Sequence, residues 1–223
     1  MDYAKLYLTF HGVGTPKRDI SDSEKKYWVD EDHFRELLSI LERYRQKVEI
    51  TFDDGNISDI AIAFPDLLSR NLRARFFVIT GRLNKQGYLS KADIQELAAA
   101  GMIVGSHGRQ HRPLKAMQLF GLLRELLVSR KLLQEICNAS IDEFAVPFGI
   151  YGKREIRSAF ACGYSKVFTS DGFWSLSKEV VIGRLSVTRA VSPEQLERLV
   201  QRGPNLLSRA RKKVLKTVKC HLC

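Results

Sequence analysis

Val48-Glu49-Ile50-Thr51-Phe52-Asp53-Asp54-Gly55 is a short β-rich run, Val48 to Phe52, that ends in two adjacent carboxylates and a glycine. Six further runs of similar character flank it: Leu6 to Phe10, Ala74 to Thr80, Met102 to Ser106, Glu143 to Val146, Lys166 to Thr169 and Val180 to Val187. Longer amphipathic stretches separate them. That alternation is the pattern of parallel strands joined by crossover helices. Seven such strands predict an α/β fold, a distorted (β/α)7-type barrel whose sites lie at the C-terminal strand ends.

The intervening stretches read as helices. Phe34, Leu37, Leu38 and Leu41 fall at i, i+3, i+4 and i+7, so one apolar stripe can dock on a sheet. Asp30 or Asp32 is placed to cap its start. Comparable stripes run from Ile60 to Leu72, Ser90 to Ala100, Leu114 to Ile136 and Lys153 to Ala161, and Ser192-Pro193-Glu194 opens a last helix. No repeat or linker divides the chain before about residue 203. The expectation is one domain over residues 1–203 with a basic extension over 204–223.

The 223 residues carry 36 Lys+Arg against 25 Asp+Glu, a formal charge of +11, and 44% are hydrophobic. This composition excludes disordered, collagen-like and disulfide-scaffold classes. Seven of the basic residues, Arg202, Arg209, Arg211, Lys212, Lys213, Lys216 and Lys219, sit in one acid-free segment. Interleaved with Leu206, Leu207, Ala210, Val214, Leu215 and Val218, they suit an amphipathic helix on an anionic membrane surface or a solvated cationic tail. Without a recognition motif beside the charge, no nucleic-acid partner is expected. Cys220, His221 and Cys223 offer only three metal ligands at a chain end. Four cysteines with no disulfide framework, no signal-like start and no long apolar run predict a cytoplasmic protein, peripheral at the inner membrane if the basic segment binds there.

Polar residues follow several strands: His11, Asp53-Asp54-Gly55, His107 and His111, and Pro147-Phe148-Gly149. In a parallel barrel these edges share one mouth. Adjacent carboxylates repel unless a cation lies beside them, although a turn with Gly55 at positive φ is an equally simple reading. Histidines four positions apart can reach one metal from a helical turn, or decorate a surface. Together, one carboxylate and two histidines form a facial set that leaves coordination positions open, with the second carboxylate free to act as a base.

TFDDG at 51–55, SHGRQH at 106–111 and VPFGIYG at 146–152 resemble, in order and approximate spacing, the successive motifs of the NodB-type polysaccharide deacetylases, carbohydrate esterase family 4. The resemblance spans about residues 6–190, and is closest to the FAYPYG-type envelope and biofilm glycan deacetylases. It implies the NodB-homology barrel, removal of an N-acetyl group from an amino sugar, and a divalent metal cofactor, usually Zn2+. By position it implies Asp53 as general base, Asp54, His107 and His111 as metal ligands, and the Phe148 backbone amide as an oxyanion donor.

Several positions depart from that pattern. Many members place an Arg two residues before the motif proline to orient the base; here that position is Ala145, and Arg184 on the seventh strand is the candidate orienter, the alternative being an ordinary salt-bridge Arg. The usual late Leu-x-His that supplies the acid is absent. His11 resembles the early Tyr-His element of the FAYPYG-type members and is the candidate general acid, or else a structural His at the barrel mouth. Gly108 stands where the family has Ser or Thr. Tyr151 and Trp174, with Phe173 and Asp171, are placed on loops expected at the mouth and are candidates, with Phe148, for substrate contact.

The expected function is a metal-dependent hydrolase acting on an acetylated amino-sugar glycan or precursor in bacterial envelope or exopolysaccharide synthesis. A lipid-linked amino-sugar deformylase or deacetylase and a catalytically silent glycan-binding member of the fold are the alternatives.

Overall fold

The computed structural model describes residues 4–172, 174–176 and 178–204. Seven strands occur where the sequence places them: β1 (Ala4–Phe10), β2 (Val48–Asp54), β3 (Ala74–Val78), β4 (Ile103–Ser106), β5 (Glu143–Ala145), β6 (Lys166–Thr169) and β7 (Val181–Ser186). Each pairs in parallel with the next, and β7 returns to β1 with Tyr7 opposite Arg184, closing a seven-stranded barrel in a single domain.

The crossovers carry α1 (Glu31–Arg43), α2 (Phe64–Ser69), α3 (Lys91–Ala99), α4 (Leu119–Cys137) and α5 (Lys153–Ala161), and α6 (Pro193–Arg202) follows β7. Capping boxes start α3 at Ser90 and α6 at Ser192. Asp30 stands at the N-cap of α1 without a side-chain bond. The Ile60 to Leu72 stripe is not one helix. A π-helical turn over Asp59–Ala63 precedes α2, because Pro65 has no amide to continue an α ladder. Likewise the Leu114 to Ile136 stripe divides into a 3-10 turn, Leu114–Ala116, and α4.

The two strand faces differ in chemistry, as the period of two requires. Outward residues Leu8, Phe10, Ile50, Phe52 and Phe76 pack against Phe34, Leu37, Leu38 and Leu41 of α1 and the other helices. The Phe10, Phe52 and Phe76 rings stack in series at 5.5 and 4.9 Å. Each fully buried Leu or Phe of this layer contributes about 1.5–3 kcal/mol. Inside the barrel, Tyr7, Phe77, Ala145, Phe168 and Ile182 form a separate apolar plug. Below the plug, Arg75 binds Glu143 at 2.9 Å and also pairs with Glu49. Above it lie Arg184 and Asp53, so the plug separates a structural ion network at the base from the ionised groups of the mouth.

Two short additions lie outside the sequence expectations. Gly12–Val13 pairs in parallel with Trp28–Val29 beside the mouth, and Ser175–Leu176 pairs with Ala4 and Lys5 at the base. Among the described residues no helix is long and apolar enough to cross a membrane. The basic segment Leu206 to Lys219 and the Cys220, His221, Cys223 cluster lie outside the described residues.

Candidate active site

Alternation along β2 sends Glu49, Thr51 and Asp53 into the barrel and turns Asp54 away from it at the strand end. Asp54 has φ 76°, and Gly55 follows at φ 69° with Val78 packed so closely that an added Cβ would lie 3.1 Å from it. The chain therefore leaves β2 sharply, with two carboxylates aimed at different neighbours.

Asp54 meets the loop after β4. Its Oδ1 lies 3.7 Å from Nε2 of His107 and 3.5 Å from Nε2 of His111, and the three candidate donor atoms fall within 4.8 Å of one another. His107 Nδ1 bonds the Ala145 carbonyl at 2.9 Å, which fixes the ring with its other nitrogen facing Asp54. Burial, then the neighbouring His107, lowers the His111 imidazole to about 4, so at neutral pH it holds the uncharged form a metal requires. Asp54 Oδ1 is buried without a hydrogen-bond partner. An orphaned carboxylate oxygen facing two imidazole nitrogens fits a divalent cation and leaves open coordination positions.

Asp53 has a different partner. Arg184, 1% exposed, forms a bidentate fork with it, Nη1 to Oδ1 at 2.6 Å and Nη2 to Oδ2 at 2.7 Å, and Nη1 also donates to Thr51 Oγ1. Burial raises the Asp53 carboxyl, but the Arg184 charge, followed by His107, outweighs it and holds the group well below the usual carboxylate range. Asp53 Oδ2 lies 3.8 Å from His107 Nε2, so this ionised, oriented carboxylate borders the metal set. Arg184 thus reaches Asp53 from β7, while the position at Ala145 supplies no cation.

Asp53, Asp54, His107 and His111 line a cleft of about 490 Å³ together with His11, Val146 and Phe148. His11 stacks on Tyr27 at 4.8 Å, and its Nδ1 is buried without a partner. Burial lowers its pKa, against an upward pull from Asp53 and Asp54. Phe148 is 56% exposed and its ring sits 4.3 Å from that of His111. Among the described residues six non-glycine positions have positive φ; three are Asn71, Asn84 and Asn138, and the others are Asp54, His111 and Phe148, all of this site. Strained torsions gather at the mouth, at about 1–3 kcal/mol each.

Two expected substrate contacts are corrected by the structure. Trp174 does not reach the mouth: it is 9% exposed and borders Ala4, Gln46 and Lys47 at the opposite end, carried there by the strand Ser175–Leu176 that pairs with the start of β1. Tyr151 is 2% exposed and donates to Asp171 Oδ2 at 2.6 Å, and neither side chain lines the cleft. Phe173 lies outside the described residues.

Several contributors have no motif to mark them. Glu125 of α4 accepts the Arg109 amide at 2.7 Å and also the Gln110 amide, pinning the loop that carries both histidines. An acid within the buried stripe Leu122, Leu126, Ser129 and Leu133 was the available signal. Gly108 makes room for it, since an added Cβ there would stand 3.0 Å from Glu125 Oε1. Glu125→Ala is expected to weaken divalent-metal binding by about 10- to 100-fold in a chelator competition, with Glu125→Gln recovering part of the loss. Equal affinities would reduce Glu125 to helix packing. Asp59, buried with both oxygens unpartnered, has its pKa raised well above the ordinary value by burial and by Asp54 and Asp53.

Comparisons with known proteins identify the family. A family model described as polysaccharide deacetylase matches residues 34–167. YxkH of Bacillus subtilis (strain 168) is 26% identical over 184 residues, 75% of this chain and 65% of its own length, so the chain spans about two thirds of that curated relative. Among solved structures, the Streptococcus pyogenes deacetylase PplD in complex with acetate superposes with a TM-score of 0.77 at 22% identity, covering 89% of this chain and 98% of that one. IcaB from Ammonifex degensii gives 0.74 at 22% identity, covering 89% and 97%. These likenesses carry the barrel, and the family match takes in Asp53, Asp54, His107, His111 and the strands that present them: the chain belongs to the polysaccharide deacetylase family.

Proposed function

We propose that the protein is a metal-dependent hydrolase that removes an N-acetyl group from an amino sugar of a glycan or glycan precursor. One observation carries this reading: an ionised, Arg-clamped Asp53 stands beside the Asp54, His107 and His111 set in a single cleft. A binding protein has no use for a buried carboxylate oriented at a metal set, which disfavours the silent alternative.

Held by Asp54, His107 and His111, a divalent cation, Zn2+ by family resemblance, would supply Lewis acidity for polarising an amide carbonyl and acidifying water. Asp53 takes the proton from the attacking water, and Arg184 keeps its carboxylate ionised and in register. The exposed Phe148 offers its ring to the sugar, and its backbone amide serves the developing oxyanion beside the metal set. His11 returns a proton to the departing amine, which must be protonated to leave.

The test is metal content together with acetate release from an acetylated chito-oligomer. Stoichiometric divalent metal and acetate release are expected, and a purified protein that takes up no divalent metal overturns the reading. Because burial lowers the His11 pKa, its protonated form is populated on the acidic side of 6.5. With His11 as the acid, kcat/KM is expected to fall as pH rises through a midpoint below the ordinary imidazole value, and His11→Gln is expected to lose this limb; a limb unchanged in the variant assigns the acid elsewhere.

A further inference from the structure

Arg18, Lys26 and Arg82 line the cleft, and Arg184 behind Asp53 makes a fourth cation against three acids. Three carboxylates line it: Asp53 is clamped by Arg184, Asp54 belongs to the metal set, and Glu24 is bound by Arg18 at 2.7 Å. Arg82 and Lys26 line the same cleft and, among the described residues, neither pairs with a carboxylate.

Both cations are held in place by aromatic rings. The Arg82 guanidinium lies over the Tyr88 ring at 5.2 Å, with Arg18 over the same ring at 4.9 Å. The Lys26 ammonium lies over Tyr27 at 4.9 Å, and Tyr27 in turn stacks on His11. Their backbones are tied to the reacting loops. Thr80 and Gly81 donate to the carbonyls of Gly108 and Arg109 at 3.1 and 2.8 Å, which binds the Arg82 turn to the histidine loop. Arg189, just beyond β7, donates to the Lys26 carbonyl at 2.9 Å. Arg82 therefore flanks the His111 side of the metal set and Lys26 the His11 side.

A neutral acetylated sugar is held by ring stacking and hydroxyl hydrogen bonds and gains little from two positioned cations. An anion gains directly, through charge-assisted hydrogen bonds. In a 2-acetamido sugar the anomeric carbon is one of the two ring carbons bonded to the amide-bearing carbon, so an anionic group on the anomeric oxygen is carried next to the metal set. We propose that the cleft takes an acetylated amino sugar whose anomeric oxygen bears a phosphate, with Arg82 and Lys26 as the phosphate-binding pair. This rests on the deacetylase reading and narrows its substrate class.

The experiment compares N-acetylglucosamine 1-phosphate with the neutral methyl glycoside of the same anomer on the metal-loaded protein. kcat/KM is expected to be about tenfold or more higher for the phosphate at low ionic strength, to converge with added salt, and to be nearly equal in Arg82→Gln/Lys26→Gln. Calorimetric binding of glucosamine 1-phosphate against glucosamine is expected to follow the same order. A nucleoside-diphosphate sugar and a polyprenyl-diphosphate sugar in detergent form two further arms, and a higher kcat/KM on either than on the neutral glycoside supports the pair and identifies the phosphate's source. A ratio at or below one in the native protein, or a preference retained by the double variant, overturns the proposal. Acetate released from none of the substrates, with tighter binding of the phosphorylated product intact, would remove the deacetylase reading and leave the phosphate site standing.

Discussion

Replacing Asp53 by Asn is expected to lower kcat by about a hundred- to ten-thousandfold while metal uptake stays stoichiometric. The amide has the carboxylate's shape, and Asp54, His107 and His111 are untouched. It cannot accept a proton near neutral pH, however, and it can answer only one of the two Arg184 donors with an oxygen; its NH2 opposes the other. The orientation therefore loosens as the basicity disappears. Acetate release and metal content measured on one preparation separate base from ligand. Turnover within tenfold of the native enzyme would show that Asp53 is not the base, and loss of the metal with the activity would make it a ligand.

Arg184→Met should produce the largest loss of stability, about 3–5 kcal/mol, because it leaves a buried carboxylate without its partner. The pH dependence gives the mechanism a sign. In the native protein the Asp53 pKa is depressed, so its contribution is present above the unfolded carboxyl value near about 4 and is lost as pH falls through the folded value. Without Arg184, burial raises that pKa, and the variant should instead lose stability as pH rises through it. Adding Asp53→Asn removes the stranded charge and is expected to recover stability but not activity. Arg184→Lys restores charge but not the fork, so it should recover stability more fully than kcat. Urea midpoints across pH 4–8 for the native protein, the two single variants and the double variant test the set. Parallel pH profiles in the native and Met forms would remove Arg184 as the clamp on Asp53.

The parts legible in the sequence are those fixed by the strands themselves. Once VEITFDDG is a parallel strand of a closed barrel, period two puts Asp53 inside and Asp54 at the edge, and the strand ending in Ser106 delivers His107 to the same mouth. Arg184 was readable for a related reason: the missing Arg at Ala145 demanded a substitute, and β7 lies two strands from β5 around the barrel with only β6 between. Loops obey no such period. Trp174 and Tyr151 look like sugar platforms by composition, but one is drawn to the base by a two-residue strand and the other turned inward by Asp171. Glu125, Lys26 and Arg82 act through backbone amides and ring faces brought close only by the folded chain, and local sequence carries no mark of such contacts.

The left-handed torsions at Asp54, His111 and Phe148 set stability against chemistry at three addresses. Glycine or asparagine at any of them would relax the chain, and a screen that rewards melting temperature alone would favour those changes while dismantling the site. A lineage released from the reaction would drift the same way. A relative that keeps Asp, His and Phe at these angles keeps residues that the backbone alone would exchange for glycine.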